Sequence, residues 1–215
     1  CIVPYTRGKQ RSRPMDHILD EVKELKLKNY KEITLLGQNV NAYGKDLDQP
    51  IDFATLLEEV AKLGIDRIRF MTSHPWDFSD EMIEVIAKYD NIMPFIHLPL
   101  QSGDSDILKL MGRRYTAQEY KELFDKIVSK VKNVAISTDI IVGFPNETEE
   151  QFQRTLEMVD YCQFDNAFTF IYSARPGTPA AKMKDSISME EKSQRLAQFN
   201  ERWNQYALEK NKAYE

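Results

Sequence analysis

The sequence predicts an α/β fold in which parallel strands alternate with helices. Short runs of apolar, β-branched residues recur along the chain, and segments with helical spacing of apolar residues lie between them. The runs are too uniformly apolar for strands with one exposed face, which is typical of parallel strands buried on both sides. Strands and helices in alternation imply right-handed crossovers and a parallel sheet, either curled into a barrel or left open.

Five strands and six helices are predicted in chain order. The strands are Glu32–Leu36, Arg67–Met71, Met93–Leu98, Val134–Val142 and Ala167–Tyr172. The helices are Met15–Leu27, Phe53–Leu63, Asp80–Tyr89, Ala117–Val131, Glu149–Cys162 and Met189 to about Ala213. A hydroxyl residue followed three positions later by Glu or Gln marks the start of the last three helices, because such a pair satisfies the first backbone donors of a helix. These pairs are Thr116 with Glu119, Thr148 with Gln151 and Ser188 with Glu191.

Composition indicates a globular protein without a membrane span. The chain has 215 residues with 42% hydrophobic content, and no linker divides it, so we expect one domain over residues 1–215. No apolar stretch is long enough to cross a bilayer, which predicts a soluble, cytoplasmic protein. Two distant cysteines cannot form a disulfide scaffold, and Cys162 is predicted to be buried in a helix.

The net charge of −5 argues against a freestanding nucleic-acid-binding module, since phosphate neutralisation needs a concentrated positive surface. One segment before the first acidic residue is strongly basic. It is either a solvated loop or a site that binds RNA phosphate or a ligand carboxylate. It consists of Arg7, Lys9, Arg11 and Arg13.

Every predicted strand runs directly into small or polar residues. The carboxyl ends of parallel strands meet at one edge of a sheet, so we expect these tips to converge on a ligand crevice. Glycine admits a ligand close to the backbone, while Gln, Asn, Ser and His offer neutral hydrogen bonds suited to a ribose, an adenine edge and an amino-acid group. The tips are Leu35–Asn39, Phe70–Pro75, His97–Gly103, Ile141–Glu147 and Ile171–Gly177.

Other classes of site have weak support. The chain has no Walker loop, no GxGxxG motif and no nucleophile elbow, and its three histidines are not spaced as metal ligands. An aldolase-type barrel lyase needs a lysine or a carboxylate dyad at the strand tips, where only Asp139 and Glu147 are available. That lyase and a noncatalytic RNA-binding module remain the alternatives from other classes.

Several motifs, taken in order, resemble blocks of the radical S-adenosylmethionine (SAM) methylthiotransferases. They are Cys1–Gly8, Leu36–Gly44, Thr72–Pro75, His97–Gly103, Met111–Thr116, Asp139–Thr148 and Tyr172–Ala181. The Gly37–Gly44 run is similar to the MiaB branch, which adds a methylthio group to carbon 2 of an N(6)-isopentenyladenosine adjacent to the tRNA anticodon. The ribosomal-protein branch, whose substrate is an aspartate, is the alternative within the family.

The resemblance implies a partial parallel (β/α)6 barrel, similar to a TIM barrel, whose first strand is missing from this chain. It also implies that two cysteines of the SAM cluster, an amino-terminal domain with a second 4Fe–4S cluster and a carboxyl-terminal TRAM domain lie outside the sequence. The chain alone is therefore expected to be inactive. The open edge at Glu32–Leu36 is expected to favour self-association.

The resemblance also implies roles for individual residues. Cys1 is the third thiolate ligand of the 4Fe–4S cluster that binds SAM. The implied SAM contacts are Gln38 and Asn39 at the methionine end, Ser73, His74, Gln101 and Ser102 along the middle and ribose, Asp139, Gly143, Tyr172 and Ser173 at the adenine, and Arg114 at the carboxylate. No side chain is needed as an acid or a base. The implied partners are tRNA, bound mainly through the missing domains, and an electron donor such as flavodoxin or ferredoxin.

Overall fold

The computed structural model describes residue 6 and residues 8–48, 51–71 and 73–212. Contacts divide the chain into two compact units. The first unit contains Lys9–His97 and Asp125–Ala135. The second unit contains Leu98–Phe124 and the described parts of Cys1–Gly8 and Ile136–Glu215. A single domain over residues 1–215 stays a prediction.

The first unit alternates helices with short parallel strands. Its elements are α1 (Met15–Leu27), β1 (Glu32–Leu35), α2 (Phe53–Lys62), β2 (Arg67–Phe70), α3 (Asp80–Lys88) and β3 (Phe95–His97). β1 and β2 are parallel, in register from Glu32 opposite Arg67 to Leu35 opposite Phe70. The core includes Leu57, Ile68 and Ile83, all with 0% exposure.

Side-chain caps define where two helices of the first unit begin. The Asp52 carboxylate accepts a hydrogen bond from the Thr55 backbone at 2.8 Å, and α2 follows it. The Ser79 hydroxyl accepts one from the Met82 backbone at 3.3 Å at the start of α3. Each cap satisfies a backbone donor that the helix itself leaves unpaired.

The second unit contains the longer strands. Its elements are α4 (Ser105–Leu110), the first turns of α5 (Ala117–Lys130), β4 (Ala135–Val142, from Ile136), α6 (Glu149–Cys162), β5 (Asn166–Ile171) and α7 (Met189–Lys212). β4 and β5 are parallel, in register from Ser137 opposite Asn166 to Val142 opposite Ile171. None of the helices among the described residues is long and apolar enough to cross a membrane.

Two predicted capping pairs are complete and the third is half formed. Thr148 and Gln151 form a reciprocal capping box, and so do Thr116 and Glu119. The Ser188 hydroxyl accepts from the Glu191 backbone at 3.1 Å, but the Glu191 carboxylate accepts from Arg195 at 2.7 Å. The Glu191 carboxylate, which was predicted to complete the capping box, is thus paired with Arg195 along α7 instead.

Candidate functional site

Polar side chains after β1 are linked to the turn after β2 within the first unit. Asn39 Nδ2 donates to Asp77 Oδ2 at 2.6 Å, and Lys45 Nζ pairs with the other oxygen of the same carboxylate. Asn41 Nδ2 donates to the backbone oxygen of His74 at 3.3 Å. Two of the residues predicted to contact a ligand, Asn39 and His74, therefore belong to one cluster.

Two amide oxygens of this cluster are buried. Asn39 Oδ1 and Asn41 Oδ1 have no hydrogen-bond partner among the residues that the structure describes, and Asn41 is only 6% exposed. Burying a carbonyl oxygen without a donor is costly, so such atoms are unusual outside functional sites. They suit the amine, amide or hydroxyl donors of a ligand.

The other predicted residues of the first unit differ in their accessibility. The Ser73 hydroxyl donates to the backbone oxygen of His97 and is 2% exposed, whereas Gln38 is exposed. The His74 ring stacks on Trp76 with centroids 3.5 Å apart. Beside the cluster lies a cavity of about 300 Å³ lined in part by Asn41, Trp76 and Asp77. Sequence reasoning did not select Asp77, because it lies beyond the strand tip and only its pairing reveals a role.

The tip at Gln101 in the second unit is joined to β4. The Gln101 backbone donates to Asp139 at 2.8 Å and accepts from Ile141 at 2.9 Å. Gln101 has a φ of 71° and is 6% exposed, so its backbone adopts a left-handed conformation within the core. The Ser102 hydroxyl has 0% exposure and lies 3.4 Å from Thr155 Oγ1.

The turn after β4 is held by a buried ion pair that the sequence did not indicate. Glu147 Oε2 accepts from the Gly143 backbone at 2.8 Å and from Arg195 Nη1 at 2.9 Å. Arg195 Nη1 also donates to the Glu147 backbone oxygen at 2.9 Å. Burial raises the pKa of the Glu147 carboxyl, and the Gly143 amide and the Arg195 guanidinium oppose that rise. Because 48 positions separate the two charges, no local motif could have revealed the pair.

Gly143 is required by both conformation and space. Its φ is 68°, and an added Cβ would lie 2.5 Å from Lys192 Cγ. Lys192 is itself 4% exposed and pairs with Asp185. Any larger residue at position 143 would strain the backbone and displace a packed side chain.

Tyr172 lies beside this turn. Its ring packs edge-on against Phe144 with centroids 5.0 Å apart, and Lys192 Nζ is 5.8 Å from its centroid. Its hydroxyl is buried and has no hydrogen-bond partner among the described residues. Burial, followed by the charge of Asp185, raises the pKa of the phenol.

The remaining predicted site residues differ in how exposed they are. Arg114 and Ser173 are exposed, and Asp139 is half-buried on β4. Cys1 lies outside the described residues. Within the described part of the chain, no group of three or more His, Cys, Asp or Glu side chains is arranged to hold a metal ion. Cys162 is 4% exposed at the end of α6, as predicted.

Curated relatives match this chain along its whole length. It is 55% identical to the tRNA-2-methylthio-N(6)-dimethylallyladenosine synthase of Staphylococcus epidermidis and 57% identical to that of Bacillus cytotoxicus. Each alignment covers 100% of this chain and 42% of the relative. The chain thus spans about two fifths of the length of these relatives.

Solved structures share the fold at low sequence identity. Coproporphyrinogen III oxidase (HemN) of Escherichia coli, a radical SAM enzyme, matches with a TM-score of 0.62 and 16% identity over 89% of this chain and 46% of that one. The radical SAM methyltransferase TsrM of Kitasatospora setae also has a TM-score of 0.62, with 15% identity over 81% of this chain and 33% of that one. These likenesses confirm the predicted α/β fold class.

The family model described as the radical SAM superfamily matches residues 1–159, which include most of the motifs on which the resemblance rests. The match extends from the first motif through β4 and into α6. The chain belongs to the radical SAM superfamily.

Proposed function

We propose that this chain is part of an enzyme that adds a methylthio group to carbon 2 of an N(6)-isopentenyladenosine next to the anticodon of tRNA. The observation that carries the proposal is the identity of 55% and 57% to two tRNA-2-methylthio-N(6)-dimethylallyladenosine synthases over the whole of this chain. The Gly37–Gly44 run, which resembles the branch that modifies tRNA, supports the same substrate.

SAM is the proposed small-molecule ligand. Buried acceptors without partners among the described residues, Asn39 Oδ1 and the Tyr172 hydroxyl, suit the amine, ribose and adenine donors of SAM. Bound SAM supplies the reactive group, and the side chains of this protein bind and orient it. The proposed contacts are Gln38, Asn39, Ser73, His74, Gln101, Ser102, Arg114, Asp139, Gly143, Tyr172 and Ser173.

A 4Fe–4S cluster and an electron donor complete the proposal. Cys1 is the proposed cluster ligand, and the described residues supply no further ligand set for it. We also propose a second cluster in the complete enzyme, reduction by flavodoxin or ferredoxin, and a cytoplasmic location. Contacts to tRNA are assigned mainly to segments of the relatives that this chain does not cover.

A chimera tests the function. In it, this chain replaces the corresponding segment of the Bacillus cytotoxicus synthase, in a strain that lacks its own synthase. We expect mass spectrometry of hydrolysed tRNA to detect the 2-methylthio form of the prenylated adenosine. A chimera that folds and retains its iron but leaves the tRNA unmodified would contradict the proposal.

The ligand assignment is tested separately with Tyr172→Phe, which removes the hydroxyl and keeps the ring. Losing one hydrogen bond to SAM should raise the dissociation constant about 3- to 10-fold. Calorimetric titration of the chimera with SAM measures it. Tyr30→Phe is the matched control, because Tyr30 is 57% exposed in the loop after α1. Equal SAM affinities for the two variants would remove Tyr172 from the site.

A further inference from the structure

One face of β5 carries two large apolar side chains that are half exposed. Phe168 is 49% exposed and Phe170 is 52% exposed. Side chains alternate along a strand, so both lie on the same face. Thr169 lies between them and donates to Asn200 Oδ1 of α7 at 2.8 Å. The two phenylalanines therefore face away from α7.

The register of the second unit shows what lies beside them. Phe168 is opposite Asp139 and Phe170 is opposite Ile141, so all four side chains share one face of the β4–β5 ladder. The other face of β4 is closed, since Ile140 and Val142 both have 0% exposure. We call Ile141, Phe168 and Phe170 the β5 patch. Asp139 borders the patch at one end, and Tyr172 follows at the carboxyl end of the strand.

We propose that the β5 patch binds the dimethylallyl group of the substrate adenosine. The inference rests on the proposed function, since the names of the curated relatives specify a dimethylallyl group on N(6) of the adenine. That group is a branched hydrocarbon without hydrogen-bonding atoms, and aromatic and aliphatic side chains bind such groups. Polar side chains could form no hydrogen bond with the dimethylallyl group.

The position of the β5 patch also supports the dimethylallyl group as its ligand. The prenyl group is attached to the adenine that reacts, so its binding surface must adjoin the residues that hold SAM. Asp139 and Tyr172, both proposed to contact SAM, lie directly beside the patch. Sequence reasoning missed the phenylalanines because apolar residues within a strand were assigned to the core.

The size of the patch favours a small ligand over a protein partner. Half of two phenylalanine side chains amounts to roughly 200 Å². A stable protein interface needs about 800 Å² from each partner. The carboxylate of Asp139 at the border of the patch also counts against an apolar protein interface.

The test compares two nucleosides on this 215-residue chain. We expect N(6)-dimethylallyladenosine to bind about 10- to 100-fold more tightly than adenosine, a range set by the discrimination that apolar pockets achieve. Titrations followed by NMR give both dissociation constants, and saturation transfer from aromatic protons to the prenyl methyls reports direct contact. The double variant Phe168→Ala with Phe170→Ala should reduce the ratio of the constants to less than about 3-fold.

Two further variants separate a lost contact from a lost fold. Replacing both phenylalanines by leucine keeps an apolar surface and should preserve most of the preference. Leu208→Ala removes a 62% exposed apolar side chain from α7 and should leave the ratio at the wild-type value. Circular dichroism of every variant confirms that the compared proteins are folded.

Three results would overturn the inference. They are equal affinities of the wild-type chain for the two nucleosides, no measurable binding of the prenylated nucleoside, and a preference that survives the double alanine variant. Reduced self-association of that variant with an unchanged ratio would assign the patch to a protein contact instead. SAM titrations of the chimera with the same substitutions distinguish the two proposals, because intact SAM binding without prenyl preference contradicts the β5 patch alone.

Discussion

At the scale of single residues, the pair of Glu147 and Arg195 is the most heavily buried charge interaction near the candidate site. The two side chains are 1% and 5% exposed. Burying both charges is costly, and the cost is offset only when each is paired and hydrogen-bonded. The pair joins α7 to the Gly143 turn through the bond from the Gly143 amide to Glu147.

Arg195→Met should lower the free energy of unfolding at pH 7 by about 3 kcal/mol, because it leaves the Glu147 carboxylate buried without its cation. Burial already raises the pKa of Glu147 in the folded state. The folded state therefore binds a proton more readily than the unfolded state, and stability attributed to this group rises as the pH falls. The loss caused by Arg195→Met should shrink at pH 5. Urea denaturation of wild type and variant at both pH values measures it.

Two controls accompany that measurement. Adding Glu147→Gln to Arg195→Met should recover part of the lost stability, since no buried charge then remains unpaired. Arg67→Met breaks an exposed pair with Glu32 and should lower the stability much less than Arg195→Met does, because solvent screens exposed charges. An equal loss at pH 7 and pH 5 in the Arg195 variant would show that the charge of Glu147 is not responsible.

The sequence identified the kind of side chain at the strand tips better than its partners. Asn39, Gln101 and Gly143 could be selected, because polar or small residues directly after a buried strand are a local signal. Glu147 with Arg195 could not be, since their pairing depends on how α7 packs. The role of each tip residue toward SAM stays a prediction.

At the scale of secondary-structure elements, the Asp160 carboxylate of α6 accepts three hydrogen bonds from α7. Asp160 accepts from Arg202 Nε at 2.7 Å, from Arg202 Nη2 at 2.6 Å and from the Tyr206 hydroxyl at 2.9 Å. The bonds from Arg202 are the main cause of the lowered pKa of Asp160. A bidentate guanidinium–carboxylate pair fixes the geometry of two helices as well as their charge.

Asp160→Asn should lower the free energy of unfolding by about 1 kcal/mol at pH 7, at the modest end for such a pair because Arg202 is 45% exposed and solvent screens it. The pKa of Asp160 lies below its ordinary value of 3.8 in the folded state. Its contribution is therefore present above pH 3.8 and is lost as the pH falls through the folded pKa. Denaturation curves at pH 7, 5 and 3 measure the difference.

Asp20→Asn is the matched control for Asp160→Asn, because it removes the same charge from an exposed pair with Lys23 within α1. It joins no two elements, so its effect should be smaller. If the free energies of unfolding of variant and wild type differ by the same amount at pH 7 and pH 3, ionised Asp160 does not hold the helices together.

Most elements were predictable because their signals are local. α1 and α6 have the predicted bounds, Met15–Leu27 and Glu149–Cys162, and the other helices and strands that were predicted differ by about one residue at one or both ends, except β3. β3 is shorter than the predicted Met93–Leu98, since Pro94 has no N–H and the Phe95 amide bonds back to Met93. α4 was missed because its six residues are too few for a periodic pattern; the side chain of Asp104 caps it.

At the scale of the whole molecule, family membership was the most predictable property. The motifs are spread along the chain in a fixed order, and an ordered set is far more specific than any one of its members. The match of the radical SAM superfamily to residues 1–159 confirms that prediction. Substrate and partners are proposals, since this chain spans 42% of the length of the curated relatives.

Self-association through β1 is the prediction that concerns the molecule as a whole. β1 pairs with β2 on one side, and no described strand pairs with its other side. An unpaired edge is a template for another chain, whereas the net charge of −5 opposes the approach of two copies. We therefore expect association that increases with protein concentration and with added salt, which screens the repulsion.

Sedimentation equilibrium at low and high salt measures the association, and Thr34→Lys tests the edge. Thr34 is an exposed residue of β1, and lysine on an edge strand disfavours pairing with another strand. Ser129→Lys makes the same change of charge on an exposed position of α5 and is the control. Only Thr34→Lys should restore the monomer. A monomeric wild type at the highest concentration would contradict an interface at β1. Equal effects of the two lysines would also contradict it, because the change of charge alone would then account for the behaviour.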